Sequence, residues 1–280
     1  MKTKISAISF ATYMLLGVVF TVFFTACIFG DEGPRVVMVK SLSDAKKKLA
    51  EYPYFPIGST PDNPIYLMVR FDLGDMSKPD NNYLRLLEII GKYGLYSELI
   101  LGGSTTVFTN PPLIEAAKGM DKIVKITIPA STTRIALDAN GKSPFFFYEN
   151  LVNVSTADSK VTHIDDYAFS SCKSLKGVSF FTVKTVGREA FMGCENLMYV
   201  SFTHSLGTIG DKAFYDCSAL ELIYLPGKPP ALGDSAFLGS TPDKFTIEIK
   251  KEYELAYRTW LTENASKFNN DGADVVKVLD

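Results

Sequence analysis

The sequence predicts an α/β repeat solenoid in which short parallel strands stack along one face. The dipeptide Ala-Phe recurs at Ala168, Ala190, Ala213 and Ala236, at intervals of 22, 23 and 23 residues. Each copy ends in a triplet such as Val178-Ser179-Phe180, where two apolar residues flank an outward one and predict a strand with one buried face. One such unit cannot bury its apolar side alone, so a period of this size indicates stacked repeats.

The segment between the Ala-Phe dipeptide and the triplet also supports a repeat solenoid. Its pattern Ala-Phe-x-x-Cys-x-x-Leu places apolar residues three and four apart, which predicts one helical or 3₁₀ turn facing inward. About six units can be traced between residues 113 and 250. The earlier ones, over residues 113–162, fit less well because they lack Cys and contain an insertion at 138–142.

The first 27 residues predict a targeting segment rather than part of the fold. Lys2 and Lys4 precede an apolar run from Ile8 to Phe24. The run ends in Phe24-Thr25-Ala26-Cys27, which resembles a relaxed bacterial lipobox. The resemblance implies that Cys27 is lipidated on sulfur and becomes the new N-terminus after cleavage. The alternative is an uncleaved transmembrane anchor, since the run approaches spanning length. Both alternatives tether the chain to a membrane.

Residues 28–35 are expected to form a tether, and residues 36–112 an N-terminal capping module. The module is predicted to be a β-helix-β arrangement that covers the exposed end of the solenoid core, although an independent domain is an alternative. Its expected elements are a helix that begins at Ser43-Asp44, a strand over Ile65–Phe71, a helix over Tyr83–Ile90 and a strand over Ser97–Leu101.

The repeat segment, residues 113–250, carries a family resemblance. Ile209-Gly-Asp-Lys-Ala-Phe-Tyr-Asp-Cys-Ser-Ala-Leu-Glu-Leu-Ile-Tyr-Leu-Pro226 resembles the BspA-type leucine-rich repeat of bacterial surface proteins at every motif position. The resemblance implies a leucine-rich-repeat stack in the bacterial cell envelope, exposed at the outer membrane. It also implies adhesion to host extracellular proteins or to other cells.

Three of the four cysteines occupy one repeat position, namely Cys172, Cys194 and Cys217. Neighbouring units should stack at about strand spacing, roughly 4.8 Å, so the thiols would form a ladder. Inert packing is the favoured interpretation, because buried Cys commonly acts as a small hydrophobe. A disulfide would leave one thiol over, and a three-thiolate metal site would lack any familiar zinc spacing.

Residues 251–280 predict a C-terminal capping helix and a tail. An apolar stripe at spacings of three and four predicts the helix and contains the only Trp of the chain: Tyr253, Ala256, Tyr257, Trp260 and Leu261. Its place directly after the last repeat favours capping over partner docking. The tail from Asn269 to Asp280 is compatible with either an edge strand or a loose end.

Composition and motifs argue against an enzyme and against nucleic acid as a partner. Without Lys2 and Lys4, the chain keeps 27 basic residues against 31 acidic ones, and a net charge of about −4 offers no basic stripe. Neither His163 nor His204 belongs to a catalytic motif. No catalytic residue, metal site or cofactor is therefore predicted.

The predicted function is binding through the outward side of the strands, which we call the strand face. It comprises Thr127, Ser155, Ser179, Ser201, Tyr224 and Glu248 with flanking residues. The candidate ligand-binding residues are Phe181, Tyr199, Ser201, Tyr224 and Glu248, and Phe181 with Tyr199 is expected to be an exposed aromatic pair. The expected partner is a protein or a glycan. The alternatives are a structural envelope lipoprotein without a soluble ligand and a hydrolase that uses the module at 36–112.

Overall fold

The computed structural model describes residues 36–51, 59–109, 117–156, 160–240, 245–268 and 276–279. The targeting segment, Cys27 and the tether lie outside the described residues. Residues 37–280 form one compact unit, which contains both the repeats and the parts of the chain predicted to cap them.

The described chain contains short strands throughout and three α-helices. In the N-terminal part the elements are β1 (Val36–Val39), α1 (Leu42–Glu51), β2 (Ile65–Val69), α2 (Asn82–Tyr93), β3 (Ser97–Leu101) and β4 (Val107–Phe108). The repeats contribute β5 (Ile123–Thr127), β6 (Arg134–Ile135), β7 (Asn153–Ser155), β8 (His163–Ile164), β9 (Gly177–Ser179), β10 (Thr185–Val186), β11 (Tyr199–Ser201), β12 (Thr208–Ile209), β13 (Leu222–Leu225), β14 (Ala231–Leu232) and β15 (Thr246–Lys250). The C-terminal part adds α3 (Glu254–Glu263) and β16 (Val276–Leu279), and 3₁₀ turns lie at Met120–Lys122, Lys251–Tyr253 and Ala265–Lys267.

The strands form two sheets. The ten-stranded sheet has the order β1-β2-β3-β5-β7-β9-β11-β13-β15-β16, and the six-stranded sheet has the order β14-β12-β10-β8-β6-β4. From β2 onward the strand pairs are parallel. The second sheet was not predicted from the sequence, because its strands are only two residues long and too short for a periodic pattern.

The predicted stack of triplets is confirmed by the register of the large sheet. Val178 pairs with Val154 on one side and with Val200 on the other, and Val200 pairs in turn with Ile223. Each of these side chains is at most 1% exposed. Equivalent positions of successive units are therefore direct neighbours, and the fold is an α/β repeat solenoid.

The predicted inward-facing turn at each Ala-Phe dipeptide is confirmed as a turn with three-residue hydrogen bonds, but it is not a continuous helix. Ser170 N–H donates to the Tyr167 carbonyl three residues back at 3.0 Å, but Phe169 N–H donates to the Ala190 carbonyl of the next unit at 2.7 Å. Tyr167 also has a φ of 60°. A helix needs consecutive hydrogen bonds within its own segment. Here alternate N–H groups bond to the next unit, so the segment is a chain of turns that ties neighbouring units together.

The core contains a column of stacked phenylalanine rings. Successive centroids lie 4.7–5.4 Å apart, and the ring planes differ by 16° or less. We call this column the Phe stack, and its members are Phe108, Phe145, Phe169, Phe191, Phe214, Phe237 and Phe268. Stacking at this distance adds to the stabilisation from burial of each ring. The stack is longer than the set of four Ala-Phe repeats. Phe108 and Phe145 precede these repeats, and Phe268 follows them.

The N-terminal part continues the large sheet without a break. Strand β3 pairs with the repeat strand β5, and the Tyr83 and Tyr148 hydroxyls hydrogen-bond at 2.8 Å in the core. Helix α1 begins before the predicted Ser43-Asp44, because the Ser41 hydroxyl accepts a hydrogen bond from Asp44 N–H. Helix α2 extends to Tyr93, past Gly91, and stops where Gly94 adopts a left-handed conformation.

The C-terminal helix α3 lies against the last repeat. Trp260 Nε1 donates to the Pro230 carbonyl at 2.6 Å, and the Tyr257 hydroxyl donates to the Leu225 carbonyl at 3.3 Å. Ala256, which the predicted stripe included, is exposed, so the buried stripe is narrower than expected. Beyond the helix, β16 pairs in parallel with β15, and the tail therefore contributes an edge strand.

Candidate binding surface

The strand face consists of two rows of outward side chains on the large sheet. One row, here called the Tyr199 row, is Lys125, Asn153, Gly177, Tyr199 and Leu222. The other, called the Tyr224 row, is Thr127, Ser155, Ser179, Ser201, Tyr224, Glu248 and Lys277. Parallel pairing without a shift in register brings residues from different units side by side. The surface is therefore assembled from residues far apart in sequence.

Tyr199 does not project from the sheet as expected but lies flat on it. A Cβ atom placed on Gly177 would be 2.0 Å from Tyr199 Cζ and 2.3 and 2.5 Å from the two Cε atoms. Three similar distances to adjacent ring carbons mean that the ring face covers Gly177. Tyr199 is accordingly half-buried. Phe181 and Tyr199 were predicted to form an exposed aromatic pair, and this prediction is wrong for Tyr199. Phe181 is 40% exposed, but the Tyr199 ring packs on Gly177.

Polar groups surround the Tyr199 ring. Asn153 Nδ2 donates to the Gly177 carbonyl at 2.9 Å and to the Tyr199 hydroxyl at 3.3 Å. Lys125 Nζ lies 3.3 Å from Glu98 Oε2 in the neighbouring strand. Burial raises the pKa of Tyr199, while the Asn153 hydrogen bond and the Lys125 charge oppose the rise. The phenol therefore stays protonated near neutral pH.

The C-terminal end of the Tyr224 row holds an ion pair. Lys277 Nζ lies 2.7 Å from Glu248 Oε1, and Glu248 is only 8% exposed. Burial, followed by the Glu248 charge, raises the pKa of Tyr224. Glu248 was a candidate ligand-binding residue, but its carboxylate is already occupied by Lys277. Ser201 and Tyr224 pair in register and remain partly exposed.

Sequence reasoning did not single out Asn153 and Gly177. The signal was present, because Gly177 is the only residue without a side chain in the Tyr199 row. Glycine within a strand marks a close approach of another group. Asn153 could be identified only from the register of the strands, because it lies 46 residues before Tyr199, whose hydroxyl it contacts.

The repeat cysteines form a buried column beside the Phe stack. Cys172, Cys194 and Cys217 are all unpaired. Cys194 Sγ donates to the Phe169 carbonyl at 3.1 Å, and Cys217 Sγ donates likewise to Phe191. In the fourth copy the Ser240 hydroxyl takes the same place, donating to the Phe214 carbonyl at 3.2 Å. In the second, third and fourth copies, a small side chain at this position thus donates a hydrogen bond to the preceding unit.

Burial makes these thiols poor nucleophiles. It raises the pKa of Cys172 to about 12 and raises those of Cys194 and Cys217 as well. In iodoacetamide labelling at pH 8, we expect all three to remain unmodified in the native protein and to react fully in about 6 M guanidinium. Peptide mapping measures the labelling of each cysteine and distinguishes the three repeat cysteines from Cys27. Rapid native labelling of Cys194 would contradict it.

The same shifts predict alkaline destabilisation. A thiol whose pKa is raised by folding stays protonated in the native state after the unfolded chain has begun to ionise. The free energy of unfolding should therefore fall as pH rises from about 9 towards 12.

Neither histidine lies beside a metal-binding cluster in the part of the chain that the structure describes. His163 and His204 are both exposed, on β8 and in a turn. Within the described ranges, no group of three His, Cys, Asp or Glu side chains could hold a metal ion. None of the helices in those ranges has the length and apolarity needed to cross a membrane.

The match to a family of repeats agrees with the repeat geometry. The family described as BspA type leucine-rich repeat region matches residues 140–257 in six copies. A leucine-rich repeat protein from T. pallidum shares 21% identity with a TM-score of 0.38, over 62% of this chain and 90% of the other. One from Bacteroides ovatus shares 13% with a TM-score of 0.23, over 88% and 92%. No curated protein matches the chain significantly. Residues 140–257, in which the repeats stack in register, belong to the BspA-type leucine-rich repeats.

Proposed function

We propose that the protein is a lipid-anchored adhesion module at the bacterial cell surface that binds an extracellular protein partner through the strand face. Leucine-rich repeats are protein-interaction modules, and a repeat stack presents a long pre-formed surface. The observation that carries the proposal is the Tyr224 row, in which hydroxyls and an aromatic side chain from neighbouring units lie side by side on one sheet. Such a surface suits protein contact because aromatic rings anchor and hydroxyls adapt.

Membrane attachment in this proposal depends on Cys27. Two acyl chains on the mature N-terminus would hold the protein stably, whereas one chain would not. Metabolic labelling with an alkyne-tagged fatty acid tests the anchor, with Cys27→Ser as the control variant. Label that persists in Cys27→Ser would contradict lipidation at this residue.

The binding surface is tested with Phe181, which is 40% exposed and follows the outward Ser179 of β9, and with the partly exposed Tyr224 of the Tyr224 row. We expect Phe181→Ala combined with Tyr224→Ala to weaken binding to a panel of purified extracellular-matrix and serum proteins about tenfold or more, or about 1.4 kcal/mol. Leu255→Ala on α3 is the matched control, since this side chain is 79% exposed and lies outside the strand face. Surface plasmon resonance measures the affinities, and unchanged melting temperatures show that the variants fold.

The rival functions give different results in the same experiments. A structural envelope lipoprotein would bind none of the panel and would be protected from added protease on intact cells. A hydrolase using the N-terminal part would retain its activity in the strand-face variants. Protein binding that is unaffected by the double variant would remove the strand face from the proposal.

A further inference from the structure

Tyr199 presents one flat aromatic surface to solvent near the middle of the large sheet. Its lower face covers the Gly177 backbone, as the 2.0–2.5 Å distances from a Gly177 Cβ position show. The side chain is only half-buried, so the accessible part is the opposite face. The ring can occupy this place because Gly177 has no side chain, and a Cβ there would overlap it. The pairing of glycine and tyrosine in adjacent strands therefore creates a platform.

Hydrogen-bonding groups at the rim of this platform are unused within the part of the chain that the structure describes. The Tyr199 hydroxyl accepts a bond from Asn153 Nδ2, and its own proton has no acceptor among the described residues. Asn153 Nδ2 uses its two protons on Tyr199 and on the Gly177 carbonyl, which leaves Asn153 Oδ1 as a free acceptor. A donor and an acceptor thus stand next to each other beside the ring.

The charges near the platform compensate each other. Lys125 Nζ can donate hydrogen bonds to a ligand, and its side chain is 42% exposed. Its charge is balanced by Glu98 at 3.3 Å. A phosphate or carboxylate ligand would meet no excess positive charge here, and a basic peptide would meet no excess negative charge. A wholly apolar ligand would leave the polar rim without partners.

We propose that Tyr199, Asn153 and Lys125 form a subsite for a neutral pyranose ring of a glycan. A pyranose has a face of C–H groups, which the negative face of an aromatic ring attracts. Its rim carries hydroxyls, each of which donates and accepts, and these complement the free Tyr199 proton and the Asn153 oxygen. This subsite goes beyond the proposed protein contact, although it depends on the strand face being turned towards the outside of the cell.

The Tyr199 ring could instead serve only to cover the glycine and stabilise the sheet. Two substitutions separate the roles. Tyr199→Phe keeps the ring on Gly177 but removes the hydroxyl, whereas Tyr199→Ala removes both. If the ring is purely structural, the folded fraction of either variant should bind saccharide as the unmodified protein does.

The test uses the full-length chain in detergent micelles and tetrasaccharides of glucose, galactose and N-acetylglucosamine. Saturation-transfer NMR should show the strongest transfer to the pyranose C–H protons, and calorimetry should give dissociation constants of about 1 mM or below. We expect Tyr199→Ala to weaken binding at least about tenfold and Tyr199→Phe and Asn153→Ala about threefold to tenfold. The affinity should change less than about twofold between 50 and 500 mM NaCl, because the ligand is neutral.

The control is Leu255→Ala on α3, a 79% exposed side chain outside the strand face, which should leave saccharide affinity unchanged. The proposal is overturned if none of the oligosaccharides binds at about 10 mM, or if folded Tyr199→Ala binds like the unmodified protein. Either result leaves the proposed protein contact intact as long as that contact still depends on Phe181 and Tyr224. Loss of protein binding in Tyr199→Ala with no saccharide binding would assign Tyr199 to the protein contact instead.

Discussion

Substitution of Phe191 by Ala is expected to destabilise the protein by about 3–5 kcal/mol. Phe191 lies in the middle of the Phe stack, with its ring centroid 4.8 Å from that of Phe169 and 5.0 Å from that of Phe214. The side chain is fully buried. Removing the ring leaves a cavity between two units, and each unit is stabilised chiefly by its immediate neighbours. The loss therefore affects both interfaces at once.

Urea denaturation followed by circular dichroism measures this effect. Phe146→Ala is the matched control, because Phe146 directly follows the stack residue Phe145 but is 49% exposed. It should cost less than about 1 kcal/mol. Similar losses in both variants would contradict the prediction, because burial alone should make the loss of the Phe191 ring the more costly. A second, earlier transition in Phe191→Ala would show that the two halves of the solenoid have become uncoupled.

Substitution of Gly119 by Ala is expected to be as damaging, for a steric reason. A Cβ at this position would lie 2.0 Å from the Leu87 carbonyl oxygen and 2.8 Å from Gly91 N, both in the backbone of α2. Gly119 also has a φ of 93°, which disfavours any side chain. Because backbone atoms cannot rotate away, α2 would have to move from the segment that precedes β5.

Gly141→Ala provides a close control. Gly141 has a φ of 74°, but nothing lies within 4 Å of its Cβ position. The left-handed conformation alone should cost about 1–2 kcal/mol there. For Gly119→Ala we expect about 3 kcal/mol more, since overlap with backbone adds to the conformational cost. Equal destabilisation in urea titrations would show that α2 moves away from Gly119 at little cost.

The sequence determined the repeat unit and the face that each residue occupies. Spacings of 22 and 23 residues identify equivalent positions, and alternation within the triplets separates inward from outward residues. The shared position of Cys172, Cys194 and Cys217 also follows from this alignment. These features are local or periodic, so they can be obtained by comparing one unit with the next.

The six-stranded sheet and the contacts between turns of successive units could not be obtained in this way. Their hydrogen bonds connect one unit with the next, as between Phe169 and Ala190, and no spacing within a unit reports them. The positive φ of Tyr167 likewise occurs at a residue that has no preference for it. Contacts between units stabilise this conformation.

The candidate site shows the same division. Sequence alone placed Tyr199, Tyr224 and Glu248 on the outward side of the strands. Only the tertiary structure decided that Tyr199 lies flat on Gly177 and that Glu248 pairs with Lys277. The physical reason is that periodicity fixes the direction in which a side chain leaves the backbone. Its exposure and hydrogen bonds depend on which residue the neighbouring strand places beside it.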